Sequence, residues 1–257
     1  FQAEDGIRDL LEWLEFWRVL FRSGGSMEGI KIIQSSENSL LIQFENKIDE
    51  TINRKIRILC DYFENHKIKG ITEYIPYYTA ISIIYNPFEF KLHEGFPLLK
   101  NEIENIINSL DFSKEYKENI VEIPVCYEED FGPDIKYVAK YNNISIEEVI
   151  KIHTSGKYLV YMLGFAPGFP YLGGMNKKIA TPRKETPRLK IPEGSVGIAG
   201  MQTGVYPIET PGGWQIIGRT PLKLFNLESP KKSLLKCGDI VKFKEISIKE
   251  YNSLKET

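Results

Sequence analysis

Four cationic side chains, Arg183, Arg188, Lys190 and Arg219, stand within one glycine- and proline-rich stretch of the chain. A guanidinium grips a carboxylate or phosphate with two parallel N–H bonds, whereas a lysine ammonium acts as a point charge. Between these cations, Gln202 and Thr203 lie in a segment flanked by Gly200 and Gly204. The amide, the hydroxyl and the backbone N–H groups of such a loop suit a small polar ligand. Phe165, Tyr206 and Trp214 are the aromatic residues placed to wall a pocket around it. Glu209 is the acid embedded among these residues, able to assist proton transfer or to orient Arg219.

Each assignment has a structural rival. Arg183 and Arg188 lie between prolines and could be solvated or docked on another protein; Arg219 could form a structural ion pair. A threonine hydroxyl such as Thr203 often only stabilises a turn, and Trp214 after Gly212-Gly213 suits a core or an interface as well as a ligand wall. His153, alone at a helix end, is expected to be structural rather than a general base.

These side chains need a rigid frame. From Gly164 onward glycine and proline are too dense for helix. Ile, Val, Tyr, Phe and Trp alternate among them, which argues against disorder. Short strands joined by tight turns remain, as in a barrel or sandwich. Strands are expected at Ser195–Ala199, Val205–Ile208, Gln215–Arg219 and Ile240–Ile246, after a β stretch at Lys157–Phe165. Upstream, strands at Gly29–Gln34, Ser39–Phe44, Ile71–Ile75, Ala80–Tyr85 and Asn119–Val125 alternate with helices at Glu50–Glu64 and Pro97–Leu110. This ββαββαβ order predicts a compact α+β domain of about 90 residues. Two short helices follow at Ile135–Asn142 and Ile146–Thr154, the second with Ser145 as N-cap. The expected domains are residues 27–118 and 119–250.

The composition is that of a soluble globular protein: 257 residues, 42% hydrophobic and 26% charged, with a net charge of −2. The lack of a basic excess argues against a nucleic-acid surface. Cys60, Cys126 and Cys237, like His66, His93 and His153, are scattered, so neither a disulfide framework nor a metal site is expected, and a reducing cytoplasm fits best. Residues 1–26 stand apart. Leu10, Trp13, Leu14, Trp17, Leu20 and Phe21 form one apolar helical face, and Ser23-Gly24-Gly25-Ser26 precedes Met27. The segment reads as a fused, non-native peptide on a linker, as a docking helix, or as a membrane-surface helix; it is too short and charged to span a membrane or to serve as a secretory signal. No functional expectation rests on it.

Four ordered motifs carry a resemblance. They are Gly164-Phe165-Ala166-Pro167-Gly168-Phe169-Pro170-Tyr171-Leu172-Gly173-Gly174, Ala180-Thr181-Pro182-Arg183-Lys184-Glu185-Thr186-Pro187-Arg188, the stretch from Gly194 to Pro207, and the stretch from Thr210 to Pro221. With Ile123-Pro124-Val125-Cys126-Tyr127 and Asp130-Phe131-Gly132-Pro133-Asp134, they resemble the KipI / PxpB / allophanate hydrolase subunit 1 family from Met27 to about Lys244. The resemblance implies an α+β fold: a small N-terminal α/β domain followed by a cyclophilin-like β-barrel without prolyl isomerase activity. It implies the PxpB component of a 5-oxoprolinase, inactive alone, working with a PxpC/KipA-type larger subunit and a PxpA/LamB-YcsF-type subunit to open 5-oxoproline to glutamate with ATP and magnesium. Activating so poor an electrophile by phosphorylating its amide oxygen would need cations on the phosphate and on the substrate carboxylate. Arg183, Arg188, Lys190 and Arg219 are then the donors, and Gln202, Thr203, Tyr206 and Trp214 the further binding residues. No P-loop pattern is present, so a nucleotide site would be atypical or shared with a partner subunit. The family also implies two alternatives: an inhibitor docking on a sporulation histidine kinase, and a urea carboxylase/allophanate hydrolase component, weakened by the lack of a fused partner domain. The enzyme reading predicts that Arg183, Arg188, Gln202, Thr203 and Arg219 converge on one rim of the barrel.

Overall fold

A computed structural model describes residues 29–47, 49–91, 93–113 and 118–255, so the helix expected within residues 1–26 lies outside the described residues. The chain divides into two compact units between Tyr116 and Lys117. Each is a mixture of helix and sheet.

In the first unit, strands β1 (Lys31–Ser36), β2 (Ser39–Gln43), β3 (Ile71–Pro76) and β4 (Ala80–Tyr85) form an antiparallel sheet in the order β1-β2-β4-β3. Helix α1 (Glu50–Asn65) follows β2 and helix α2 (Gly95–Ser109) follows β4. Asp49 caps α1, accepting the Ile52 N–H at 2.9 Å. The apolar stripe read from the sequence, Ile52, Ile56, Leu59, Cys60 and Phe63, is buried, as are Leu99, Ile103, Ile106 and Ile107 of α2. Alternation in β2 sends Leu40 and Ile42 to the same core.

The second unit holds β5 (Ile120–Val125), α3 (Ile135–Tyr141), α4 (Ile146–Ser155), β6 (Tyr158–Leu163), β7 (Pro170–Gly173), β8 (Arg188–Ile191), β9 (Ser195–Ala199), β10 (Gln202–Val205), β11 (Thr210–Gly212), β12 (Gln215–Arg219), β13 (Ile240–Glu245) and α5 (Ile248–Lys255). The seventh element of the expected ββαββαβ domain, β5, belongs here rather than with the first six. It pairs in parallel with β13, Ile120 opposite Ile240 through Val125 opposite Glu245. Sequence order suggested a local partner; the hydrogen bonds go to a strand 120 residues away.

The strands of this unit form three sheets, ordered β5-β13-β6-β7, β10-β9-β12 and β11-β8, and none closes on itself. This differs from the single barrel that the family resemblance implies. The first two sheets pack through β7 and β10 and are joined by a bridge in which Cys126 and Arg219 exchange backbone hydrogen bonds at 2.9 Å. A core of Ile123, Val125, Val160, Val196, Ile198, Ile217 and Val241 fills the unit. The strand expected at Val205–Ile208 lies earlier, at Gln202–Val205, because Gly200 takes a left-handed φ of 57° and turns the chain back just before Gln202. Among the described residues no helix is long and apolar enough to cross a membrane.

Candidate functional site

The alternation of β9, β10 and β12 separates two faces. Thr203, Ile198 and Gln215 share one row across the three strands; Gly204, Gly197 and Ile216 share the next. On the second row the missing side chains matter. A Cβ on Gly204 would lie 3.1 Å from Trp214 Cζ3 and 3.3 Å from Phe169 Cζ, and one on Gly197 would lie 3.2 Å from Trp214 Cβ. The Trp214 side chain therefore lies over two glycine backbones, its ring over Gly204 and its Cβ over Gly197. Phe169, Tyr206 and Trp214 meet edge to face, with centroids 5.8, 5.8 and 6.1 Å apart, above buried Ile191 and Ile216. Such pairs contribute about 1 kcal/mol each beyond burial, which fixes the rings before any ligand arrives. Tyr171 packs on Phe169 at 5.4 Å, and Phe165 packs on the same Phe169 ring at 5.6 Å; Phe165 is 71% exposed on a left-handed φ of 66°.

Charge gathers at the edge of this aromatic face. Burial pushes the Tyr206 phenol up, while Arg183, the Trp214 backbone N–H and Arg188 pull it the other way. Arg183 also opposes the upward shift that burial imposes on Tyr171. The Arg183 charge is thus felt by both phenols, and that of Arg188 by Tyr206. Burial alone would raise the Asp134 carboxyl; bonds from Arg188 and the Ile216 N–H, with the Lys184 charge, hold it below its ordinary range. Arg188 grips Asp134 with two bonds of 2.8 Å, Lys184 stands at 3.3 Å, and the Ile216 N–H donates at 2.7 Å. Asp134 sits at the N-cap position of α3, yet its side chain makes no capping bond; it faces β8 and β12 instead.

Three binding residues expected from the sequence, Thr203, Arg219 and Lys190, stand elsewhere, and the predicted five-residue rim does not form. Thr203 is buried on the opposite row, donating to Gly197 O at 3.0 Å. With its one proton committed, its oxygen accepts from His153 Nε2–H at 2.9 Å, so His153 Nδ1 accepts from Tyr127 Oη–H at 2.7 Å. His153 stacks on Phe243 at 4.4 Å, and burial pushes its pKa down to about 3. It is a structural, neutral imidazole. Arg219 leaves the aromatic face as well, its Nε donating to Glu193 O at 2.8 Å. Lys190 and Glu209 pair at 2.9 Å with both side chains exposed, so Glu209 is matched to Lys190 rather than to Arg219. Gln202, two residues before Gly204, is half-buried on the Trp214 side of the pleat.

The structure therefore joins Arg183, Arg188, Gln202, Tyr206 and Trp214, with Phe165 at the edge. It adds Phe169, Tyr171, Lys184 and Asp134, to which sequence reasoning gave no role. Asp134 did stand in the quoted Asp130–Asp134 motif, but directly before a helix an aspartate reads as an N-cap, and only the structure shows that its side chain makes no capping bond. The face can bind and orient a small, flat anion or amide. Asp134 is held as a carboxylate and the Tyr206 phenol stays protonated, so neither acts as a base near neutral pH.

Residues 30–235 match the family described as carboxyltransferase domain, subdomain C and D. Across 232 residues the chain is 49% identical to the B component of 5-oxoprolinase from Bacillus subtilis, covering 88% of this chain and 97% of that one. The chain belongs to the PxpB family of 5-oxoprolinase components. Among solved structures, family resemblance extends to a conserved protein of Pyrococcus horikoshii, 44% identical over 86% of this chain and all of that one, with a TM-score of 0.51. A further likeness, to the urea amidolyase of K. lactis, covers 92% of this chain and 16% of that one at 22% identity, with a TM-score of 0.64. That last similarity speaks for the carboxyltransferase-domain fold alone.

Proposed function

We propose that this chain is the PxpB component of an ATP-dependent 5-oxoprolinase, helping PxpC/KipA-type and PxpA/LamB-YcsF-type subunits open 5-oxo-L-proline to L-glutamate. The observation that carries this reading is its 49% identity to the Bacillus subtilis component across 97% of that protein. The chemistry of the aromatic face agrees with it. The lactam ring lies against the half-buried Trp214, whose ring Phe169 holds from beneath; its carboxylate meets the Arg183 guanidinium, and the Gln202 amide bonds the ring amide. Asp134 fixes Arg188, and through the Ile216 N–H it also fixes the strand that follows Trp214.

Hydrolysis needs more than this face offers. It holds no side chain able to take a proton near neutral pH, so the groups that attack the lactam come from another subunit and the chain is not active alone. Among the described residues no group of three His, Cys, Asp or Glu side chains could hold a metal ion. Arg188 and Lys184 already neutralise Asp134. The face does not fit a magnesium triphosphate by itself, and on this reading ATP is held mainly by a partner subunit. The three sheets are read as a cyclophilin-like layout opened at its seams. The protein works in the cytoplasm, where its cysteines stay reduced.

The test is reconstitution. The three purified subunits are mixed with ATP and 5-oxoproline, and glutamate release is followed with and without this chain. Omission is expected to abolish release; an unchanged rate refutes the reading. Arg183→Ala is expected to raise KM for 5-oxoproline about tenfold or more, the worth of one charge-assisted bond.

A further inference from the structure

Helices α3 and α4 and the link from β13 to α5 enclose a concavity of about 570 Å³. Its floor is apolar. Tyr127 and Ile246 are buried there, and Ile146 and Ile150 stand half-buried one helical turn apart on α4. Its rim is acidic: Glu128, Glu129, Glu245 and Glu250 are all exposed, against the single lysine Lys136.

The local duties of these acids are uneven. Lys136 is fully engaged by Glu129, at 2.6 and 2.7 Å. Glu250 accepts from the Ser247 N–H and hydroxyl at 2.8 Å, and Glu128 accepts the Ile248 N–H at 3.3 Å; both therefore help begin α5. The Glu245 side chain has no hydrogen bond or ion pair among the described residues. Four carboxylates against one lysine leave the rim with an excess of negative charge that favours a cation from outside. An aliphatic floor inside a charged rim is also the layout in which one apolar anchor supplies affinity and the rim supplies steering.

We propose that this groove is the docking site for a basic segment, bearing an aliphatic anchor, on a partner subunit. The inference rests on the reading of this chain as one subunit of a complex, and it deepens that reading by naming the surface and the chemistry of the contact. The partner's lysines or arginines meet Glu245 and displace or share Lys136 at Glu129, and its anchor fills the space over Ile146 and Ile150.

The experiment measures binding of the full-length chain to each of the two purified partner subunits by surface plasmon resonance, at low salt and again at several-fold higher salt. Three forms are compared with the wild type: Glu129→Lys/Glu245→Lys on the rim, Ile150→Ser on the floor, and Glu37→Lys in the exposed β1–β2 turn as a control. Unfolding midpoints verify that each is folded. The expected result is a wild-type Kd that weakens with salt. The rim variant should lose about tenfold or more in Kd, mostly through a slower on-rate, and the floor variant should lose affinity through a faster off-rate, with the control unchanged. A rim variant that binds a partner like the wild type at every salt concentration overturns the proposal while leaving the subunit reading intact. If the wild type binds neither partner, the subunit reading itself fails. If the rim variant instead abolishes self-association of this chain without touching partner binding, the groove belongs to a second copy and the proposal is wrong.

Discussion

Replacing Asp134 with asparagine isolates the ion network that organises the candidate site. The amide keeps the size of the carboxylate and an oxygen for the Ile216 N–H, but it removes the charge that Arg188 and Lys184 share. Stranding a fully buried partner costs about 3–5 kcal/mol, and an exposed pair is worth under about 1. Arg188 and Lys184 are 28% and 30% exposed and Asp134 only 7%, so water partly compensates the two cations. A loss of about 2 kcal/mol follows, or roughly 8 °C in the melting temperature of a unit this size. The pH dependence carries a sign. The folded-state pKa of Asp134 lies below the ordinary 3.8. Its stabilisation is therefore complete above that value and is lost as pH falls through the folded one. Calorimetry at a series of pH values should show a constant gap between wild type and Asp134→Asn from neutrality to about pH 4.5, closing in stronger acid. An Asn variant that melts with the wild type at neutral pH, or a gap that persists undiminished at the lowest pH where both remain folded, would refute the argument.

Three further outcomes are expected. A Cβ on Gly132 would lie 2.2 Å from Ile217 O, so Gly132→Ala must displace backbone; it should cost about 1–3 kcal/mol in urea unfolding. His153, buried and pushed down to about 3, binds a proton when unfolded but not when folded. Stability should then fall by about 1.4 kcal/mol for each pH unit below about 6.5, and His153→Gln should remove that slope, as chemical denaturation at a series of pH values from neutrality down to about 5 will show. Glu209→Gln breaks only a surface pair with Lys190, so glutamate release by the reconstituted enzyme should stay within about twofold of the wild-type rate.

The elements legible in the sequence are those whose signal is local. The stripe of Ile52, Ile56, Leu59 and Phe63 placed α1, and Ser145 accepts the Glu148 N–H as a cap should. Strands β7, β8 and β11 escaped notice because each is three or four residues long and carries or adjoins proline, which hides a period of two. The partner of β5 could not be read because pairing across 120 residues leaves no local trace. At the site, residue types were legible but facing was not. Thr203 and Gln202 are neighbours in sequence, and the one-residue difference sends one to His153 and the other to the aromatic side. Arg183 and Arg188 were visible as cations, whereas the acid that holds Arg188 lies 54 residues upstream.

The pairing of β5 with β13 also has a consequence for synthesis. The second unit has its first strand beside its last, so that sheet cannot be completed until the chain has been made to about Glu245. A nascent chain paused earlier would present Ile120–Val125 as an open edge, one side of a ladder awaiting its rung. Crowded ribosomes would place such edges near one another, and a truncation removing only the final strand should yield aggregates rather than a smaller folded protein.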